Sequence, residues 1–144
     1  MGVDLNSRPQ PLRILETVLY APNLTRIEDF YRRALGLEPF AAVPGRHIFY
    51  RFGDQMLLIF NPDVTQFSAA ENSMPVPPHG AEGEGHICFG ASGEDIALWR
   101  KKLESLGVTI EADFEWPGGG RSIYFRDPAG NCLEIAEPRI WGVA

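Results

Sequence analysis

Three side chains of metal-ligand type lie in segments where a β-strand should be apolar. Glu16 lies in the run Leu12 to Ala21, His86 in the run from Gly83, and Glu134 in the run from Asn131, and each run is rich in strand-forming residues. A carboxylate in an apolar row is strongly destabilising unless a proton, a partner or a metal neutralises it. The convergence of three such groups therefore predicts a site for a divalent metal.

These residues also have ordinary structural explanations. A buried histidine is often a hydrogen-bonded core residue, and a strand glutamate often lies on a solvent face. A site is favoured because Glu16 and His86 occupy matching positions in two copies of one repeat. We interpret the neighbouring Cys88 and Cys132 as small core residues, since free cysteine is commonly buried.

The turn from Asp127 to Asn131 predicts which residue faces Glu134. Pro128 suits the first central position of a type I turn, and Gly130 suits the positive φ of a bulge. The two ends of the segment then close a three-residue loop between antiparallel strands. In that register Tyr124 lies opposite Glu134, with its hydroxyl on the same face.

Three residues near this hairpin are candidates for substrate binding. Tyr124 is either a substrate contact or a packed aromatic residue, and Ser122 lies on the same side of its strand. Arg121 follows three glycines and could meet an anionic substrate, although an exposed arginine beside a flexible loop is the favoured explanation. Among these residues, Tyr124 is the candidate for catalysis.

The elements that must position these groups occur twice in the same order: strand, helix, then further strands. A capping box at Thr25 and a terminal Gly36 delimit the first helix, and Ser92 and Gly107 delimit the second. The expected strands are residues 12–21, 46–52 and 55–61 in the first copy, with room for a short strand within 37–43, and 83–90, 108–114, 121–126 and 131–137 in the second.

The two copies can be aligned residue by residue. Glu16 to Leu19 falls on His86 to Phe89, and Met56 to Ile59 falls on Cys132 to Ile135. The alignment places Leu58 on Glu134, so the first copy has an apolar residue where the second has a candidate ligand.

Chain length is consistent with a single domain over residues 1–144. Module one covers residues 12–62, a proline-rich connection covers 63–83, and module two covers 84–138. Either module alone is too small to bury a good core. We therefore expect two modules within one domain.

Charge and composition exclude several classes of partner. Thirteen Lys and Arg against nineteen Asp and Glu leave a net charge of -6, which disfavours nucleic acid. No signal peptide or membrane-spanning run is recognisable, so no membrane partner is expected. Two cysteines without a Cys-x-x-Cys spacing favour a cytoplasmic, reduced protein.

Taken together, these segments resemble the vicinal oxygen chelate superfamily, which includes lactoylglutathione lyases, extradiol dioxygenases, fosfomycin-resistance thiol transferases and bleomycin-binding proteins. The similarity covers about Leu12 to Glu137. The residues that carry it are Glu16-Thr17-Val18-Leu19-Tyr20-Ala21-Pro22-Asn23-Leu24, Phe30-Tyr31, Leu35-Gly36-Leu37, Gly85-His86-Ile87 and Asp127-Pro128-Ala129-Gly130-Asn131-Cys132-Leu133-Glu134.

The resemblance implies an α+β fold in which two tandem βαβββ modules form a half-barrel mixed sheet with helices on the outside. It implies one divalent metal, whether Mn, Fe, Ni, Zn or Mg, held by Glu16, His86 and Glu134. Tyr124 matches a substrate-contacting tyrosine of the dioxygenases and fosfomycin-resistance enzymes. A homodimer is also implied, and the residues leave open whether one chain or two assemble the site.

Two departures from the family patterns bear on the reaction. Lactoylglutathione lyases use a fourth ligand, a glutamate on the last strand of module one, where this chain has Leu58. Extradiol dioxygenases resemble a site of two histidines and one carboxylate, whereas the first histidine here is replaced by Glu16. Lyase or isomerase chemistry, ring-cleaving dioxygenation and thiol transfer therefore all stay open.

The leading hypothesis is a metal-dependent, glyoxalase- or dioxygenase-like enzyme that binds a small substrate through two neighbouring oxygens. Glu16 or Glu134 could then serve as the catalytic base. The alternative is a metal-free binding protein of the bleomycin-resistance type that sequesters a drug or metabolite. A domain whose Glu16 and His86 are only hydrogen-bonded is a further possibility.

Overall fold

A computed structural model describes residue 2 and residues 4–144 as two βαβββ modules joined by a long connection. Among these residues, no helix has the length and apolar character needed to cross a bilayer. The elements are β1 (Glu16–Tyr20), α1 (Leu24–Leu35), β2 (Ala41–Val43), β3 (His47–Phe52), β4 (Gln55–Phe60), α2 (Pro62–Thr65), β5 (His86–Gly90), α3 (Gly93–Ser105), β6 (Ala112–Glu115), β7 (Arg121–Arg126), β8 (Cys132–Ala136) and a 3₁₀ helix (Pro138–Trp141).

Each module forms one four-stranded mixed sheet. The strand orders are β1-β4-β3-β2 and β5-β8-β7-β6, with β1 parallel to β4 and β5 parallel to β8. These pairings confirm the α+β class and the two tandem modules. Within the described chain the strands form two open sheets and no closed barrel.

Strand register confirms the alignment of the two modules. Val18 pairs with Leu58 in the first sheet, just as Cys88 pairs with Glu134 in the second. Leu58 therefore occupies the position in module one that Glu134 occupies in module two. The first module carries a buried leucine there, 7% exposed.

Helix ends match the sequence prediction in part. Gly36 ends α1 with φ 68°, and the Ser92 hydroxyl accepts from the backbone N–H of Asp95 at 3.1 Å, as predicted. The capping box at Thr25 is wrong. Asn23 caps α1 instead, because its side-chain oxygen accepts from the backbone N–H of Arg26 at 3.3 Å.

The first residues of the predicted first strand lie outside β1. The strand β1 begins at Glu16, and Leu12 is fully exposed. Ile14 and Leu15 are also more than half exposed. The run Leu12–Leu15 has strand-forming residues, but its apolar side chains are largely exposed, and its backbone meets the sheet where the Leu15 carbonyl accepts from the Met56 N–H at 2.9 Å. Residue type alone therefore placed the start of the strand too early.

One core holds the modules together. Phe30 of α1 packs against Phe125 of β7 with ring centroids 6.5 Å apart, and Phe52 stacks on Phe89 at 5.4 Å. One face of each sheet therefore packs on the helices in a shared apolar core. The opposite faces, here called the outer faces, carry the candidate site residues, since side chains alternate along a strand.

A buried polar network lies where the modules meet. The Asp127 carboxylate accepts from Tyr31 Oη of α1 at 2.9 Å and from Asn131 Nδ2 at 3.0 Å. Asn131 in turn accepts from the backbone N–H of Gly85 at 2.8 Å and donates to the Tyr20 carbonyl at 3.2 Å. This turn thereby connects the first strands of both modules to the start of β8.

Two stacked core tyrosines allow a matched test of this network. Tyr31 donates to Asp127, whereas the buried Tyr50 hydroxyl has no hydrogen-bond partner among the described residues. We expect Tyr31→Phe to lower the free energy of unfolding by about 1.5–3 kcal/mol, since it removes a bond to a charged group. Tyr50→Phe should be neutral or stabilising. Urea denaturation of both variants measures this, and equal losses would contradict the role of the network.

Candidate active site

The outer face of the second sheet brings His86 and Glu134 together. His86 Nε2 lies 3.3 Å from Glu134 Oε1, and the parallel pairing of β5 with β8 sets this distance. The Glu134 carboxylate is only 8% exposed, whereas the His86 side chain is 51% exposed. A buried charge therefore borders an accessible imidazole.

The second nitrogen of His86 determines the tautomer. His86 Nδ1 lies 2.9 Å from the Cys132 carbonyl oxygen, which can only accept, so Nδ1 carries a proton and donates it. In the neutral ring Nε2 is then an unprotonated acceptor that faces a carboxylate oxygen. Two acceptors 3.3 Å apart are favourable only when a proton or a cation lies with them.

The other oxygen of Glu134 is already occupied. Ser122 Oγ donates to Glu134 Oε2 at 2.6 Å, and Ser122 accepts from Trp116 Nε1 at 2.8 Å. The sequence predicts Ser122 as a substrate contact, but its side chain is fully buried beneath Glu134. The sequence did not indicate a role for Trp116. This residue lies beyond the end of β6, where strand alternation no longer predicts which face a side chain occupies.

Tyr124 lies where the hairpin register predicts it. It pairs with Glu134 across β7 and β8, and its ring stacks on His86 with centroids 6.3 Å apart. Phe114 stacks on its other side at 5.8 Å. Burial first, and then the adjacent Glu134 carboxylate, raise the pKa of Tyr124 to about 12, so its hydroxyl keeps its proton and can donate.

Cys88 belongs to this outer face and not to the core. It pairs with Glu134 in the sheet, and the residue is exposed, so the interpretation as a buried core residue is wrong. Desolvation and then the Glu134 charge raise the pKa of its thiol to about 12. Cys132, paired with His86, is half-buried.

Arg121 lies on the other side of the sheet. It alternates with Ser122 along β7, so its side chain joins the helix-packed face. There it makes two hydrogen bonds to Asp113, at 2.8 and 2.7 Å, and Arg100 of α3 also pairs with Asp113. The prediction that Arg121 binds substrate is therefore not supported by its position.

Comparison with known proteins identifies the family. Residues 13–135 match the family model described as the glyoxalase/bleomycin resistance protein/dioxygenase superfamily. The chain belongs to this superfamily. A crystal structure of lactoylglutathione lyase from Agrobacterium tumefaciens is 41% identical, with a TM-score of 0.87 over 94% of this chain and 100% of that one.

Two further relatives of the superfamily are similar over less sequence or at lower identity. The metallothiol transferase FosB of Bacillus licheniformis is 43% identical over 51 residues, a match that spans only 35% of this chain and 33% of that protein. A glyoxalase/bleomycin resistance protein/dioxygenase from Nocardioides shares the fold at 20% identity, with a TM-score of 0.69 over 92% of this chain and 87% of that one.

Within one chain of this superfamily member, the predicted third ligand lies apart from the other two. Glu16 is exposed at the start of β1, on the outer face of the first sheet. Among residue 2 and residues 4–144, no three His, Cys, Asp or Glu side chains form a group able to hold a metal ion. Within one chain, His86 and Glu134 are therefore in contact on the second sheet, whereas Glu16 lies on the first sheet.

Proposed function

We propose that the protein is a divalent-metal-dependent enzyme that binds a small substrate through two neighbouring oxygens. Glu16, His86 and Glu134 are the proposed ligands. The observation that carries the proposal is the contact between His86 Nε2 and Glu134 Oε1 at 3.3 Å, with the Nδ1 proton already committed to the Cys132 carbonyl. An imidazole nitrogen and a carboxylate oxygen facing one point suit a borderline divalent ion.

We propose further that a homodimer completes the site, with Glu16 supplied by a second copy of the chain. The outer faces are only partly covered in one chain: His79 of the connecting segment lies against Tyr20 and Phe60 on the first, but apolar side chains remain exposed on both faces or beside them. Val43 is 45% exposed on the first, and Phe114 and Trp116 are 39% and 40% exposed beside Tyr124 on the second. Pairing the first face of one copy with the second face of another covers these residues and brings Glu16 to His86.

At this site a divalent ion would supply Lewis-acid stabilisation of negative charge on two substrate oxygens. Tyr124, protonated beside Glu134, donates a hydrogen bond to a substrate oxyanion. Since Ser122 engages Glu134 Oε2, the exposed Glu16 carboxylate is the better catalytic base.

The comparisons favour one reaction class and support a second as an alternative. Likeness to a lactoylglutathione lyase over nearly the whole chain supports a lyase or isomerase reaction. The shorter match to a metallothiol transferase supports thiol transfer as the second candidate. Assays of both activities with each candidate metal added back distinguish the two. A metal-free sequestering protein would retain no ion and show neither activity.

Mixing two inactive variants tests the shared site. Glu16→Gln and Glu134→Gln should each lose metal affinity, because each removes one charged ligand. In a mixed dimer, one of the two sites recovers both native glutamates, so an equal mixture restores about a quarter of the sites when subunits exchange at random. Titration with Mn²⁺ before and after subunit exchange measures the recovery.

Glu71→Gln is the matched control, because Glu71 is an exposed glutamate of the connecting segment. It should bind metal like the parent. Failure of the mixture to recover binding would place both glutamates in one chain or outside the site. If each single variant binds metal like the parent, neither Glu16 nor Glu134 is a metal ligand.

Tyr124→Phe should impair turnover and leave folding intact. Only one oxygen is lost from a ring that still stacks on His86 and Phe114. We expect kcat to fall roughly 100-fold with little change in KM, because the hydrogen bond strengthens on transition-state charge. Metal content and Tm should match those of the parent, and Tyr50→Phe, the same change in the core, should leave kcat unchanged. Unchanged kcat would assign Tyr124 to packing alone.

Leu58→Glu should add a fourth ligand. Leu58 shares the outer face of β4 and β1 with Glu16, in the register that Glu134 shares with His86. We expect metal affinity to rise about tenfold or more, while the metal-free protein loses stability from the buried charge. Met56→Glu, which adds the same charge one position away on that face, is the control. Calorimetric titration that shows equal affinity for both variants would contradict the alignment.

A further inference from the structure

A directional hydrogen-bond chain runs from Trp116 through Ser122 to Glu134. An indole N–H can only donate, so Ser122 Oγ accepts at 2.8 Å and must direct its own proton elsewhere. That proton points to Glu134 Oε2, 2.6 Å away, a distance typical of a hydrogen bond to a charged acceptor. The chain therefore has one allowed polarity and ends on an ionised carboxylate oxygen.

This arrangement determines which oxygen of Glu134 is available. Oε2 is held by Ser122, whereas Oε1 faces His86 Nε2 at 3.3 Å. Ser122 is fully buried and Glu134 nearly so, so water does not replace the serine hydroxyl readily. The carboxylate cannot rotate without breaking a charged hydrogen bond.

The loop that supplies Trp116 is itself held in one conformation. Trp116 donates its backbone N–H to the Gly120 carbonyl and accepts from the Gly119 N–H, both at 2.9 Å. Gly119 and Gly120 have φ of 94° and 98°, and a Cβ at Gly120 would overlap Ile140 Cγ2. The three consecutive glycines thus form a fixed turn against the C-terminal 3₁₀ helix.

We propose that Trp116 and Ser122 are positioning residues that orient Glu134 as a one-oxygen ligand and thereby set the metal affinity of the site. The inference rests on the proposed metal-dependent function. Ser122 then orients Glu134 from beneath and does not contact substrate as the sequence predicts. The glycine-rich loop contributes by holding Trp116 in place.

Removing the serine hydroxyl tests the proposal directly. Ser122→Ala should weaken Mn²⁺ or Ni²⁺ binding about 10- to 100-fold, the effect typical of losing a group that orients a ligand. Trp116→Phe keeps the aromatic contact with Phe114 but lacks the N–H, and should give a smaller loss in the same direction. Trp141→Phe, a change at an exposed tryptophan of the same region, should bind like the parent. Tm measured in parallel reports any loss of folding.

A spectroscopic signature separates orientation from general destabilisation. The chain has three tryptophans, so the protein labelled with ¹⁵N gives three indole N–H resonances. In the metal-free protein, Glu134→Gln should shift the Trp116 resonance and leave that of Trp99 unchanged. Ser122→Ala should abolish the response of Trp116 to added metal.

The possible results are distinct. If the parent binds metal and Ser122→Ala binds it equally, the positioning role is overturned while the proposed function stands. A parent that binds no metal overturns the proposed function. In that case, a Trp116 resonance that does not shift in Glu134→Gln overturns the hydrogen-bond chain as well. A shifted resonance supports the conclusion that the chain orients Glu134.

Discussion

The structure depends on a single buried carboxylate at the junction of the two modules. Asp127 accepts from Tyr31 of the first helix and also from the backbone N–H groups of Ala129 and Asn131, so it fixes the turn that begins β8. Asn131 then bonds to the strands on either side of the junction. Because β8 starts at this point, the same network sets the register that places Glu134 between Tyr124 and Cys88.

Local patterns predicted much of this arrangement. The Asp127–Asn131 turn has a loop length that determines its register, so the amino-acid sequence was enough to place Tyr124 opposite Glu134. Repeat alignment likewise predicted the equivalence of Leu58 and Glu134. Both succeed because they depend on short-range geometry: a closed turn allows one pairing, and a side-chain period of two determines which residues share a face.

Other features could not be predicted, because they depend on which parts of the chain pack against each face of a sheet. Strand alternation places Arg121 on the face opposite Ser122 and Tyr124, but it does not show what Arg121 contacts there. Its pairing with Asp113, which also pairs with Arg100, is visible only in three dimensions. Cys88 was interpreted as a core residue because free cysteine is commonly buried, although it shares a strand face with His86. Glu16 is conspicuous in sequence, yet its relation to His86 depends on how sheets from two modules or two copies come together.

The exposed outer faces have a thermodynamic consequence. When two copies contribute ligands to one ion, binding of the ion and association of the chains are linked, and each strengthens the other by the same factor. A tenfold gain in the ion affinity of each site on dimerisation must then appear as about hundredfold tighter association when both sites of the dimer hold an ion. The amount of assembled catalyst would follow both metal supply and protein abundance. His86 and Glu134, held together in advance by β5 and β8, would form the half of the site that persists when the copies separate.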